Sequence, residues 1–307
     1  MVKLANTELP AMCGIVGLFL KDPSLEPELG RLTEGMLATL SDRGPDSAGF
    51  AVYGKGKSGE TKLTLRAKSA AAMKETADRI GRAFSDANIM LHDTHAVVGV
   101  EDRSVPRLLE WLTSEASVEI VGRGKRMAVF KEVGRPEKVS QRFGLAGMHG
   151  THAIGHTRMA TESAVTTDGA HPYSTGKDQC LVHNGSLSNH NALRRKLVRK
   201  GMSFETENDT EVAAHYLTWR MEEGETLGQA LESSIEDLDG FYTFVVGTES
   251  GFGVLRDPIA CKHAVLAETD DYVAFGTEYR ALAVLPGIEK AKVWEAEPAT
   301  VYFWERH

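Results

Sequence analysis

A cysteine that directly follows a methionine and opens a glycine-flanked apolar run constrains this chain more than any other feature: Met12, then Cys13-Gly14-Ile15-Val16-Gly17. If residues 1–12 were removed, Cys13 would become the first residue and carry a thiol and a free α-amine on one carbon. An α-amine of pKa about 7.7 to 8.0 can take the proton of a thiol of about 8.5 near neutral pH. A lysine, at about 10.4, would be roughly several-hundred-fold less available as a neutral base. The competing reading of Cys13 is a small buried hydrophobe at the start of a strand. Residues 1–12 are expected to be a leader, either cleaved or an overlong start.

The 307 residues, 42% hydrophobic and 25% charged, suffice for one large domain or two modest ones with a sizeable core. A formal net charge of -8 without a basic run argues against nucleic acid and anionic membrane as partners. Cys13, Cys180 and Cys261 are an odd set with no CxxC spacing, which speaks against a disulfide framework, a zinc site or an iron–sulfur cluster within this chain. The start lacks an apolar signal region, and no apolar run approaches the ~20 residues of a membrane helix. A cytoplasmic protein is expected.

Gly14 to Leu20 reads as a buried strand stopped by Lys21-Asp22-Pro23. Helical spacing of Leu29, Leu32, Met36, Leu37 and Leu40 predicts a helix from about Glu26 to Leu40, followed by a break at Asp42 to Asp46 and a strand from Gly49 to Tyr53. Further strands are predicted at Thr151–Gly155, Gln179–Val182, Phe241–Gly247, Gly253–Leu255 and Tyr272–Phe275, and helices at Asn189–Lys200, Thr210–Met221 and Thr226–Ile235. Strands in runs and helices in pairs point to an α+β layered domain. Between about 55 and 148 the pattern changes. A strand at Lys62–Arg66, a helix at Ala70–Phe84, a β region at Asn88–Val100, a helix at Val105–Ser114 and a strand pair at Ser117–Val133 predict an inserted small α/β subdomain, with a decorated long hairpin as the alternative.

Four polar, glycine-punctuated segments fall at predicted strand ends or loops: Asp42 to Gly49 (DRGPDSAG), Gly155 to Thr161 (GHTRMAT), Ala170-His171-Pro172-Tyr173 with Val182 to Ser186 (VHNGS), and Glu207 to Glu211 (ENDTE). Each alone has a plain explanation. Asn184-Gly185 is a hairpin-turn signal, Asp209-Thr210 can cap a helix, and Arg158 can be a surface ion-pair partner. In this order behind Cys-Gly-Ile-Val-Gly, however, they resemble the class II glutamine amidotransferase domain, a member of the N-terminal-nucleophile hydrolases. The resemblance covers residues 13 to about 255 apart from the insert. It implies a four-layer αββα sandwich, in which two antiparallel sheets pack face to face between helices.

The resemblance also implies a mechanism. Cys13, once N-terminal, attacks the side-chain amide of glutamine with its own amine as base, giving a γ-glutamyl thioester and ammonia, and water then releases glutamate. The Asn184 side chain and the Gly185 N–H match the oxyanion donors. Arg158 matches the arginine that grips the α-carboxylate, and Asp209 the carboxylate that takes the α-ammonium. Arg43 matches a loop residue that orients the nucleophile. Thr161 and His171 match pocket-lining positions, with a structural hydrogen-bonding role for His171 equally open. No metal is implied. Met159, Glu162 and Asp42 depart from the tryptophan and the two histidines common in the family, and the Glu162 side chain is expected to point away from the substrate carboxylate.

No second, ammonia-using site is legible in the chain. It therefore resembles the detached amidotransferase subunit of glutamate-synthase-like systems, including N-methylglutamate synthase. That likeness implies a hetero-oligomer whose partner subunits carry the FMN, with or without an iron–sulfur cluster, and no cofactor in this chain. The substrate is expected to be glutamine or a related γ-glutamyl amide. Two alternatives stand beside this: a non-catalytic structural subunit with its leader retained and Cys13 masked, and a hydrolase of some other amide.

Overall fold

The computed structural model describes residues 13–115, 117–159 and 165–306. The leader, Thr161 and Glu162 lie outside the described residues. The first half of the chain runs β1 (Gly14–Leu20), α1 (Leu29–Thr39), β2 (Ser47–Tyr53), β3 (Glu60–Ala67), α2 (Ala70–Ala83), β4 (Asn88–His92), β5 (His95–Glu101), α3 (Val105–Thr113), β6 (Val118–Gly124), β7 (Met127–Val133) and α4 (Pro136–Phe143). The second runs β8 (His152–Arg158), β9 (Tyr173–Gly176), β10 (Gln179–Leu187), α5 (His190–Arg199), α6 (Asp209–Glu222), α7 (Leu227–Asp237), β11 (Gly240–Gly247), β12 (Gly251–Arg256), β13 (Val265–Glu268), β14 (Tyr272–Gly276), α8 (Tyr279–Leu282), β15 (Lys292–Glu295) and β16 (Thr300–Glu305).

Every residue of β1 is buried, so it must be covered on both faces. With side chains alternating along a strand, Ile15 and Phe19 enter one apolar cluster while Val16, Leu18 and Leu20 enter another. The second cluster lies under α1, α4 and α8. The first lies between β1's own seven-stranded sheet, of order β15-β13-β14-β1-β8-β2-β7, and a five-stranded sheet, of order β16-β12-β11-β10-β9. The outer face of the five-stranded sheet is covered by α5, α6 and α7 through Leu193, Leu197, Val212, Leu217 and Leu231. Helices, sheet, sheet and helices thus form the expected αββα layers. Glycines let the sheets approach: a Cβ on Gly17 would come within 2.2 Å of the Phe252 ring.

A third sheet, of order β4-β5-β3-β6, buries its own cluster against α2 and α3. It spans residues 60 to 124, less than the insert expected at about 55–148. The predicted strand pair at Ser117–Val133 is divided: β6 pairs with β3, whereas β7 pairs with β2 from Ser47↔Val133 to Tyr53↔Met127 and closes the seven-stranded sheet. Alternation along a strand reveals a buried face but not the partner strand, so sequence alone assigned both strands to one unit. The helix predicted from Glu26 begins at Leu29, because Pro27 holds residues 23–28 in a 3-10 turn. No helix of the described residues is long and apolar enough to cross a membrane.

Gly30, in the first turn of α1, supports this packing directly. A Cβ there would lie 1.9 Å from the Leu145 carbonyl oxygen and 2.6 Å from that of Met148. Gly30→Ala should cost about 1–3 kcal/mol through overpacking, read as a lower denaturant midpoint with an unchanged slope. An unchanged midpoint would mean that the turn at 145–148 yields freely.

Candidate active site

Cys13 stands immediately before β1, half-buried at one end of the sandwich. Its carbonyl oxygen accepts from Asn184 Nδ2 at 3.1 Å and from Arg43 Nε at 3.4 Å, and its Sγ lies 3.8 Å from the Met159 carbonyl oxygen. Behind it, Ile15 N donates to Thr277 Oγ1 at 2.9 Å and Thr277 N donates to the Ile15 carbonyl at 3.0 Å. Arg43 reaches Cys13 from the turn after α1 and is ion-paired with Glu278. Thr277 and Glu278 were not found by sequence reading, since they lie in no motif and gain meaning only because β14 ends beside the start of β1. Asp42 is exposed and faces Arg135 at 3.9 Å, away from the thiol.

Asn184-Gly185 is not a hairpin turn. Both residues lie inside β10, with Asn184 opposite Thr243 and Gly185 opposite Tyr242 on β11. Cys180 and Val182 point between the sheets, and period-two alternation puts Asn184 on the same face, where it meets Cys13 across the sandwich. Gly185 is required by its neighbours: its φ is +151°, and a Cβ would lie 2.0 Å from the Phe241 carbonyl oxygen.

Arg158 is not a surface residue; it ends β8 opposite Ser47, is 7% exposed, and its carbonyl accepts from Asp46 N at 3.1 Å. Its Nη1 faces the 166–170 turn, where a Cβ on Gly169 would stand 3.2 Å away. Asp209 is the first residue of α6, which Asn208 caps by accepting from Thr210 N at 2.9 Å. Asp209 Oδ2 accepts from Leu187 N at 2.9 Å and Oδ1 lies 3.7 Å from His183 Nδ1. These contacts fix the carboxylate beside the strand that carries Asn184. His171 is buried, with Nε2 3.2 Å from Thr210 Oγ1 and its ring 4.0 Å from that of His156. His156 and His183 lie within the GHTR and VHNG segments, but no role had been attached to them. Thr161 lies outside the described residues.

Burial is the largest influence on the Cys13 thiol and pushes its pKa up, while the Met159 backbone and the positive charges of Arg158 and Lys262 pull part of the way back. Desolvation of the thiolate wins. The thiol is therefore protonated at neutral pH, and chemistry at Sγ needs a base. Lys262 was also missed by sequence reading, since it lies between β12 and β13 and in no motif. Burial likewise holds His156 down to about 3 and His171 well below the ordinary histidine value, so both are neutral. The arrangement sets an amide donor against the Cys13 backbone, a guanidinium whose charge acts on the thiol, and a carboxylate beside the strand that carries the amide.

Comparison with known proteins gives a concordant picture. A family model described as a glutamine amidotransferase domain matches residues 156–284. The glutamine amidotransferase-like protein GlxB of Rhizobium meliloti (strain 1021) is 59% identical over 296 residues, 96% of this chain and 98% of that protein. The glutamine–fructose-6-phosphate aminotransferase (isomerizing) of Thermococcus kodakarensis is 34% identical over 140 residues, 45% of this chain and 23% of that protein. Among solved structures, glutamine phosphoribosylpyrophosphate amidotransferase from B. subtilis, complexed with ADP and GMP, superposes with a TM-score of 0.62 at 20% identity. That match covers 95% of this chain and 47% of the other, about half its length, and speaks for the fold. Identity of 59% across nearly the whole of both chains decides the assignment: this chain belongs to the class II glutamine amidotransferase family.

Proposed function

We propose that this chain is a glutaminase subunit that hydrolyses the side-chain amide of glutamine through a Cys13 thioester and hands the ammonia to a separate synthase subunit in the cytoplasm. The observation that carries this reading is the 3.1 Å contact from Asn184 Nδ2 to the Cys13 carbonyl, which sets an amide donor beside the thiol. An Asn amide has two N–H donors. One holds the Cys13 carbonyl, and the second is left for an oxyanion.

In this reading, removal of residues 1–12 frees the Cys13 α-amine, which supplies the base that a buried, protonated thiol requires. The amine takes the thiol proton, directly or through water, and Sγ adds to the amide carbon of glutamine. Asn184 and the Gly185 N–H stabilise the resulting oxyanion. Collapse of the tetrahedral species breaks the C–N bond as the α-ammonium returns its proton to the leaving nitrogen, and ammonia departs. Water then attacks the thioester with the amine again as base, giving glutamate and the free thiol. Arg158 holds the α-carboxylate, Asp209 the α-ammonium, Arg43 the Cys13 backbone, and His171 lines the pocket. The ammonia-using partner is of the glutamate-synthase-like kind that includes N-methylglutamate synthase. The FMN and any iron–sulfur cluster belong to that partner.

The test begins with the intact mass and N-terminal sequence of the chain purified with its partners. The expected start is Cys13, with glutaminase activity that Cys13→Ala abolishes. A chain that keeps residues 1–12 and turns over glutamine would overturn the amine-base mechanism, and one that keeps them, is inactive and still assembles the synthase would establish the structural subunit instead. Asn184→Ala should lower kcat by about 10²–10³-fold with little change in unfolding midpoint. Iodoacetamide labelling read by peptide mass should follow the raised thiol: with residues 1–12 attached, Cys13 reacts appreciably only above the ordinary thiol range. Freeing the α-amine should shift that profile to lower pH.

A further inference from the structure

Three buried histidines and one threonine join the elements that carry the site, and we propose that Thr210 is a positioning residue that fixes Asp209 relative to Asn184 through His183 and His171. Thr210 follows Asp209 in the first turn of α6 and is fully buried. Its Oγ1 lies 2.9 Å from His183 Nδ1 and 3.2 Å from His171 Nε2. His183 is the residue before Asn184 on β10. The His171 ring packs, tilted by 33°, against that of His156, which stands two residues before Arg158 on β8 and whose Nε2 donates to the His183 carbonyl at 3.1 Å.

Proton accounting makes the arrangement specific. A carbonyl only accepts, so His156 carries its proton on Nε2. The Thr210 hydroxyl has one proton to give and faces three groups, Asp209 Oδ1 at 3.4 Å beside the two histidines, so at least one histidine presents N–H to it. His183 Nδ1 also faces Asp209 Oδ1 at 3.7 Å, and a carboxylate selects N–H there. His183 Nδ1–H therefore donates to the Thr210 oxygen, and the Thr210 hydroxyl ties His171 Nε2 and Asp209 Oδ1 to the same point. With His156 and His171 held neutral by burial, one hydroxyl holds the His183 and His171 rings and the Asp209 carboxylate in register. Its loss removes the side-chain tie from Thr210 to β10 and leaves the Leu187 N–H as the hydrogen bond that holds Asp209 to that strand. A valine would fill almost the same volume and make none of the hydroxyl's bonds.

This inference rests on the glutaminase reading, and its test separates the two. Wild type, Thr210→Val and Thr210→Ser, each purified with its partners, are compared for glutamine hydrolysis and, independently of turnover, for L-glutamate binding by calorimetry, with unfolding midpoints recorded alongside. Thr210→Val should raise KM and the glutamate Kd about tenfold and lower kcat about tenfold, a roughly hundredfold loss in kcat/KM of the size that a misplacement of about 1 Å produces. Thr210→Ser should recover to within about threefold of wild type. Thr210→Val within twofold of wild type in all three, or Thr210→Ser impaired as deeply as Thr210→Val, would overturn the proposal. Should Thr210→Val fail to fold, His171→Phe removes one bond of the relay and should lose about tenfold in kcat/KM; an undiminished variant would also overturn it. A wild-type chain that binds glutamate without hydrolysing glutamine defeats the glutaminase reading alone, and the relay is then judged by Kd. One that does neither defeats both.

Discussion

Burial of β1 on both faces is the constraint on which the rest of the structure depends. It places Cys13 at a fixed point at the end of the sandwich, because the next seven residues cannot move without opening two apolar clusters. It also sets the chemistry. The same withdrawal from water that anchors the strand raises the thiol pKa, so a residue that is well placed as a nucleophile is poorly ionised as one. In the proposed mechanism, the freed α-amine of Cys13 itself resolves this conflict.

The site belongs to the sandwich as a whole and to neither sheet alone. Cys13 precedes β1 and Arg158 ends β8, both of the seven-stranded sheet, whereas Asn184, Gly185 and Asp209 come from β10 and α6 on the five-stranded side. The Asn184–Cys13 and His156–His183 hydrogen bonds both cross from one side to the other. An error of about 1 Å in how the sheets sit would undo the alignment. Glycines set that seating: side chains at Gly17 and Gly247 would strike the Phe252 and Tyr53 rings at 2.2 and 2.5 Å. Gly17, read from sequence only as the end of a motif, thus has a packing role as well.

What was legible in the sequence follows from which signals are local. The 3.6-residue spacing of α1, α2, α5, α6 and α7 and the apolar runs of β1 and β11 lie within single segments, and the structure places those elements within a few residues of the prediction. Elements whose identity depends on a distant partner were not legible. β7 looks like the second arm of a hairpin until β2 claims it, and β15 and β16 are edge strands, defined by their pairing with β13 and β12. The candidate site shows the same division. Cys13, Arg158, Asn184 and Asp209 were found through ordered motifs, whereas Thr277, Glu278 and Lys262 carry no motif and enter only through the fold. Asn184-Gly185 shows why a local rule can mislead: the dipeptide favours a turn, but here the glycine serves the close approach of β11 within a continuous strand.

The division of the site between two layers bears on how an α-amino acid would be recognised. Arg158, at the end of β8, and Asp209, at the start of α6, carry opposite charges and come from opposite sides of the sandwich, so in the proposed binding mode a zwitterion would complete contacts on both sides and an amide lacking either charge on only one. Buried polar groups left unmatched are costly, and that cost discriminates more sharply than an added apolar contact could. Selectivity for an amino acid over other amides therefore needs no large pocket. It needs the two sheets to be seated correctly, and the fully packed interface between them provides that.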